Sequence, residues 1–270
     1  MKRMQIIEHY LQGKRGRAEL CEDGFIVTPH FAAVVDGSTS KVAGRAGGLE
    51  AMKIVCEALR TLSPCATKEE MLAHVTSALA RHNPPEAHLD AAWRLTCSAV
   101  VYSRESRTVW MVGDCQCRFD HTTHTHPKLI DTILTEARCD AVRYLLAHGH
   151  TPSSLQHADL GRAMIMDALR LQTNFQNDPN PLNPYRYPVF DGTQVDPQLV
   201  PEWPIPPTID ELILASDGYP ALFDTLQQTE DELHRLLQVD PLCIAENAAT
   251  KGLVEGNLSF DDRCYLRLKI

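Results

Sequence analysis

Aspartate stands at three points where an apolar, β-rich run ends. Asp36 closes the run FAAVVD, Asp217 follows LILAS, and the pair Asp261-Asp262 adjoins RCYLRL. Glycine follows the first two aspartates, and glycine permits a tight turn and a close approach of the backbone. Carboxylates so far apart in the chain can converge only in a fold that brings the ends of several strands together. This requirement constrains the fold more than any other feature of the sequence.

Converging carboxylates with few basic neighbours are a natural site for hard divalent cations such as Mg²⁺ or Mn²⁺. The sequence therefore predicts a metal site near Asp36, Asp217 and Asp261. It also predicts that few basic side chains lie beside these aspartates.

Composition excludes several classes of protein. The chain has 270 residues, of which 44% are hydrophobic and 23% charged, as is typical of a soluble globular protein. It has no apolar run long enough to span a bilayer and no signal-peptide core, so a membrane is not an expected partner. Its net charge is −9 and its only basic block lies at 14–17, which argues against nucleic acid as a partner. Nine scattered cysteines predict reduced thiols in a cytoplasmic protein. The sequence does not indicate an oligomeric state.

Hairpins, rather than a regular βαβ alternation, connect the predicted strands. Two predicted strands lie in 18–36, and the others lie at 96–103, 108–114, 115–120, 185–190, 211–216 and 263–270. The predicted helices lie at 45–62, 67–82, 128–149, 153–175, 221–238 and 241–251. This order favours a single α+β domain over 1–270, with antiparallel sheets covered by helices and a helical, proline-rich variable region at about 121–207.

Six short motifs follow one another along the chain. They are CED (21–23), VVDG (34–37), TCSAVV (96–101), VGDCQ (112–116), ASDG (215–218) and SFDD (259–262). One Asp-Gly pair is a weak signal, because turns often use it. In this order the motifs resemble the metal-dependent protein phosphatases, the PPM or type 2C family, from about residue 17 to the C-terminus. The resemblance implies two face-to-face antiparallel sheets flanked by helices, an α-β-β-α sandwich with two metal ions at one edge.

The resemblance also implies metal ligands. Asp36 would bridge two Mn²⁺ or Mg²⁺ ions, and the carbonyl of Gly37 would bind the second ion. Asp217 and Asp261 would hold the first ion, with Asp262 as the alternative to Asp261. Two divalent ions bridged by a carboxylate lower the pKa of a shared water and clamp a phosphate for in-line attack. Hydrolysis of this kind needs no nucleophilic Cys or Ser.

Other residues would assist. Glu22 and Asp23 would lie near the second ion, largely through water. Asp114 would shape the site or bind a further, weaker metal. An arginine that forks onto two phosphate oxygens would complete the site, and Arg17 is the candidate, with Arg15 as the alternative.

The chain departs from the family pattern in three places. Ser38 stands where many members have a histidine that is proposed to donate a proton, and Cys264 stands where threonine is usual. The region 121–207 does not match the common pattern and is the candidate for substrate selection. The run HTTHTH at 121–126 suggests zinc, but no fourth ligand is evident and the alternation of His and Thr also suits an exposed strand end.

Three functions fit these observations. The main prediction is a Mn²⁺- or Mg²⁺-dependent phosphatase of phosphoserine or phosphothreonine in proteins. A phosphatase of a small phosphorylated metabolite is the second. A pseudophosphatase that binds a phosphorylated partner without turnover is the third.

Overall fold

Two five-stranded antiparallel sheets face each other in the computed structural model, which describes residues 3–42, 44 and 47–270. The first sheet has the order β1-β10-β9-β6-β7 and the second has the order β2-β3-β4-β5-β8. The strands are β1 (Gln5–Gln12), β2 (Asp23–Val27), β3 (Phe31–Gly37), β4 (Cys97–Ser103), β5 (Thr108–Val112), β6 (Gln116–Phe119), β7 (Thr122–Thr125), β8 (Glu202–Pro204), β9 (Glu211–Ala215) and β10 (Arg263–Lys269).

Helices cover the outer faces of both sheets. They are α1 (Gly48–Arg60), α2 (Lys68–Ala80), α3 (Leu129–Ala147), α4 (Pro152–His157), α5 (Leu160–Met164), α6 (Met166–Leu171) and α7 (Leu226–Val239). The helix α1 buries Ala51, Val55 and Leu59, which are spaced four residues apart and so share one face. None of the helices in the described ranges combines the length and the apolar character that crossing a membrane requires.

The strand β3 shows how the layers form. Ala32 and Val34 pack between the two sheets, whereas Ala33 and Val35 pack under α1 and α2. Successive side chains of a strand point to opposite faces, so a strand that is buried on both faces reads as one continuous apolar run. The predicted α-β-β-α sandwich is confirmed, and the acidic residue at the end of β3 is fixed by a strand that is buried on both sides.

Most predicted elements are present, and three predictions are wrong. The segment 241–251 has no helix, because the carboxylate of Asp240 accepts hydrogen bonds from the amides of Ile244, Ala245 and Asn247. A side chain that binds nearby amides in this way competes with helix formation. The segment 153–175 is not one helix but three α-helices and a 3₁₀ turn, and Asp159 caps the second α-helix through the amide of Arg162 at 2.9 Å.

The proline-rich segment also differs from its prediction. The segment 185–190 forms isolated bridges at Tyr187 and Phe190 instead of a strand, and the short strand of this region is β8. The strand β1 was not predicted; it pairs with β10 along the edge of the first sheet. The nine cysteines all lie in the described ranges and are free thiols.

Candidate active site

A row of polar side chains lies across the end of the second sheet. Asp36 on β3 pairs with Asp23 on β2 and with Ser98 on β4. Residues directly opposite each other on antiparallel strands point to the same face. The hydroxyl of Ser98 donates to Oδ1 of Asp114 at 2.7 Å. Asp114 follows the turn at Gly113, whose positive φ of 88° suits glycine.

The first sheet brings further aspartates to the same place. Asp217 follows β9, and Asp261 and Asp262 precede β10. The ends of these two strands are held together, because the Ser216 amide donates to the Cys264 carbonyl at 3.0 Å and the Ser216 hydroxyl accepts from the Cys264 amide at 2.9 Å. The aspartates of both sheets line one cavity of about 300 Å³, which we call the carboxylate cavity.

The electrostatics of the carboxylate cavity fit a divalent cation. Burial, and then the charges of Asp23 and Asp217, raise the pKa of Asp36 well above its usual range. Burial also raises the pKa of Asp23 to about 7, and the charge of Asp217 acts in the same direction. Oδ2 of Asp23 is buried and finds no hydrogen-bond partner among the described residues. Crowded carboxylates of this kind repel one another until a cation balances them, and oxygen donors suit Mg²⁺ or Mn²⁺.

Two glycines bring further oxygen donors together. The Gly37 amide donates to the carbonyl of Glu22 at 3.0 Å. A Cβ atom on Gly48, at the start of α1, would lie only 2.6 Å from both the Gly37 carbonyl oxygen and Oε1 of Glu22. The hydroxyl of Thr39 donates to the other oxygen of Glu22. The missing side chain at Gly48 therefore leaves the space in which the carbonyl of Gly37 and the carboxylate of Glu22 meet.

The two neighbouring aspartates at 261 and 262 have different surroundings. Asp262 is 5% exposed and accepts from the backbone amides of Lys14 at 2.7 Å and Glu22 at 3.0 Å. Asp261 instead pairs through its carboxylate with the ammonium of Lys14 at 2.9 Å and with that of Lys251. Asp262 is thus held by backbone amides, whereas Asp261 is held by two lysine side chains.

Lysines cover the carboxylates in this structure. No group of three or more His, Cys, Asp or Glu side chains that could hold a metal ion as they stand is found in the described ranges. Nζ of Lys128 lies 2.6 Å from Oδ2 of Asp114. Burial opposes the ionisation of Asp114, but the charge of Lys128 outweighs it and lowers the pKa of Asp114. A metal ion at Asp261 would displace Lys14 and Lys251, whereas Asp114 already has a cation of its own.

The predicted phosphate-binding arginine lies outside the carboxylate cavity. The guanidinium of Arg17 pairs with the carboxylate of Glu19 at 2.8 Å, and both side chains are exposed. Arg17 lines a smaller adjoining cavity together with Lys14 and Arg15. Arg15, the alternative from the sequence, lines both cavities.

Comparison with known proteins identifies the fold. No protein-family model and no curated protein sequence matches the chain. The catalytic domain of the serine threonine protein phosphatase PstP, in complex with two manganese ions, aligns over 99% of this chain and 98% of its own, with 14% identity and a TM-score of 0.50. The chain has a PPM phosphatase fold.

Two further solved phosphatases align with lower TM-scores. PstP/Ppp of Mycobacterium tuberculosis aligns over 100% of this chain and 99% of its own, with 16% identity and a TM-score of 0.48. Stp1 of Staphylococcus aureus aligns over 98% and 95%, with 12% identity and a TM-score of 0.48. At 14% identity, the likeness to the PstP catalytic domain concerns the fold and not the reaction.

Ser38 lines the carboxylate cavity. Its side chain is exposed, and its amide donates to the carbonyl of Thr96 at 2.9 Å. None of the described histidines lines this cavity. Protonation of a leaving group would therefore depend on water or on one of the non-histidine groups of the site.

The expectation that few basic side chains lie beside the aspartates of the site is wrong. Burial, and then the charges of Arg162, Lys251 and Lys128, lower the pKa of Lys41 to about 7. Only the basic block at 14–17 could have indicated this from the sequence. Among the described residues, the basic side chains at the carboxylate cavity are Lys14, Arg15, Lys41, Lys128, Arg162 and Lys251.

The histidine run at 121–126 makes contacts with neighbouring elements of the structure. Nδ1 of His121 pairs with Oδ2 of Asp224 at 2.7 Å. The ring of His124 stacks on Phe119, with centroids 4.6 Å apart, and lies beside Trp203. These contacts join the run to β6, to Asp224 and to Trp203 of the second sheet. None of its histidines lines the carboxylate cavity, but the charges of Asp114 and Lys128 act on His126, whose pKa is lowered mainly by burial.

Proposed function

We propose that the chain is a Mn²⁺- or Mg²⁺-dependent phosphatase that hydrolyses phosphoserine or phosphothreonine in proteins. One observation carries this proposal: aspartates from the ends of both sheets meet in one cavity of a PPM phosphatase fold. The PstP catalytic domain, which shares the fold, is a serine/threonine protein phosphatase in complex with two manganese ions. A cytoplasmic location belongs to the same proposal and rests on the nine unpaired thiols.

The carboxylate cavity would hold two ions. The residues proposed to hold them are Asp36, Asp217 and Asp261 for the first, and Asp36, Gly37, Glu22 and Asp23 for the second. Bound there, the ions would stabilise charge on the phosphate and make water a nucleophile at neutral pH.

The chain itself would position the substrate. Lys14 and Arg15 line the cavity and would draw in the dianionic phosphate. Asp262 holds the backbone amides of Lys14 and Glu22, and so would keep the segment that carries these groups in place against the strand ends. The exposed side chain of Ser38 lines the same cavity and would face the substrate.

Turnover of p-nitrophenyl phosphate by the purified protein is expected in the presence of Mn²⁺ and should disappear with EDTA. Asp217→Ala should abolish it as well, because that variant lacks a carboxylate of the first ion. Calorimetry of Mn²⁺ binding accompanies the assay. Undiminished turnover in EDTA or in Asp217→Ala would contradict the proposed site.

A pseudophosphatase is the second candidate, because Lys14 and Lys251 already neutralise Asp261. Mn²⁺ binding without turnover would favour it. A phosphatase of a small metabolite is distinguished by a panel of phosphopeptides and phosphorylated metabolites, in which a tenfold preference for either class decides the substrate.

Arg15→Gln is expected to raise KM more than Arg17→Gln does. A hydrogen bond to a charged group contributes about 1.5–3 kcal/mol, so the loss of a phosphate contact should raise KM roughly tenfold or more. Arg17 already pairs with Glu19 and should change KM little. Steady-state kinetics of both variants on p-nitrophenyl phosphate measure the difference, and a larger effect at Arg17 would restore the assignment made from the sequence.

A further inference from the structure

Two basic side chains of the carboxylate cavity have no acidic group within ion-pair distance among the described residues. Lys41 lies in the loop after β3, and Arg162 lies in α5, within the variable region 121–207. The ammonium of Lys41 donates to the Thr39 carbonyl at 3.1 Å, and the guanidinium of Arg162 donates to the Thr250 carbonyl at 2.7 Å. Neither forms an ion pair with an Asp or Glu of the described chain.

Three of the acids that line the same cavity already have basic partners. The carboxylate of Asp159 pairs with the guanidinium of Arg138 at 2.8 Å and also accepts from the backbone. Asp114 pairs with Lys128, and Asp261 pairs with two lysines. Metal ions bound at the remaining carboxylates of the cavity would neutralise the negative charge that otherwise balances Lys41 and Arg162.

The partial burial of these two basic groups lowers the stability of the fold when no ligand is bound. Lys41 and Arg162 are half-buried, and Lys128 and Lys251 line the cavity beside them. A partly buried charge without a counter-charge destabilises a fold, and such groups in a cleft are candidates for binding an ion of opposite sign. An anion that enters the cavity would supply the missing counter-charge.

The guanidinium of Arg162 is held on a fixed support. Asp159 accepts the backbone amide of Arg162 at 2.9 Å and is itself fixed by Arg138, which is 1% exposed. A binding group that is fixed in advance loses less entropy when its ligand arrives. The support lies in the variable region and so is separate from the strand ends that carry the aspartates.

We propose that Lys41 and Arg162 bind a second anionic group of the substrate, a carboxylate or a second phosphate close to the phosphorylated residue. This inference rests on the proposed phosphatase function and specifies its substrate as an acidic or doubly phosphorylated segment of protein. The volume of about 300 Å³ lies at the lower end of the range for ligand pockets and admits more than a single phosphate.

Three phosphothreonine peptides of equal length test the proposal: one with neutral neighbours, one with two glutamates and one with a second phosphothreonine. The wild-type protein should prefer the two anionic peptides by about tenfold in kcat/KM, as expected for one charge-assisted contact. The double variant Lys41→Gln/Arg162→Gln should lose that preference through KM. Arg162→Lys, which keeps the charge, should retain part of it.

The matched control is Lys53→Gln/Arg60→Gln, which removes two exposed charges from α1 and should keep the preference. Fluorescence anisotropy of the same labelled peptides in EDTA separates the two proposals, because it reports binding without turnover. Absence of turnover with a preserved binding preference would overturn only the phosphatase function. Equal binding and equal turnover of all three peptides, or a preference that survives in the double variant, would overturn the second-anion site.

Discussion

Asp36→Asn is expected to lower kcat on p-nitrophenyl phosphate in Mn²⁺ by about a thousandfold or more. Metal ions contribute several kcal/mol of transition-state stabilisation, and each 1.36 kcal/mol corresponds to about tenfold in rate. Asp36 lies between Asp23 and Ser98 at the centre of the row of polar side chains, so its loss should affect both proposed ions. Steady-state kinetics with saturating Mn²⁺ measure the effect.

The thermal stability of Asp36→Asn separates a lost metal ligand from a damaged fold. The charged form of Asp36 is disfavoured by burial and by neighbouring carboxylates, so a neutral amide should not lower Tm in EDTA. Added Mn²⁺ should raise Tm of the wild type by mass action and raise that of the variant much less. Asp210→Asn, at a residue with a 69% exposed side chain outside the site, serves as the control and should behave as the wild type in both assays. Wild-type kcat in Asp36→Asn would refute the role of this residue.

The sequence predicts the aspartates of the site well because strands impose a local rule. In β3 every residue from Phe31 to Val35 is buried, so a polar residue directly after this run is expected near the end of the strand, and β3 ends at Gly37. The same rule applies to Asp217 after β9. The order of such strand ends along the chain is enough to suggest the fold, since antiparallel pairing then fixes which side chains meet.

Features of the site that depend on packing between distant segments cannot be predicted from the pattern of a single strand. Asp261 and Asp262 differ by one position, and only the backbone amides of Lys14 and Glu22 decide which carboxylate is occupied. Arg162 reaches the carboxylate cavity because Asp159 starts a new helix there. No periodicity in 153–175 indicates this break, since the apolar spacing continues through it.

Arg138→Met is expected to lower the free energy of unfolding by about 3–5 kcal/mol, the usual cost of leaving one member of a buried ion pair alone. The side chain of Arg138 is 1% exposed, and its guanidinium lies 2.8 Å from the carboxylate of Asp159. It also donates to the carbonyls of Leu242, Cys243 and Ala249, at 3.0, 3.3 and 3.1 Å. Urea denaturation followed by circular dichroism measures the change.

Two further variants show whether the unpaired buried charge causes the loss of stability in Arg138→Met. Arg143→Met removes an arginine of the same helix that is 55% exposed, pairs with Asp140 and donates to the Ile244 carbonyl at 2.8 Å, so it should cost about 1–2 kcal/mol, less than Arg138→Met. Adding Asp159→Asn to Arg138→Met should recover part of the stability, because the amide carries no charge and its oxygen keeps the cap on Arg162, while the Gly252 amide loses its acceptor. If the double variant is as unstable as the sum of the single ones, packing rather than charge explains the loss.

Since Arg138 joins α3 to Asp159 and to the loop that carries Lys251, its removal should also weaken the preference for the peptides with two glutamates or a second phosphothreonine.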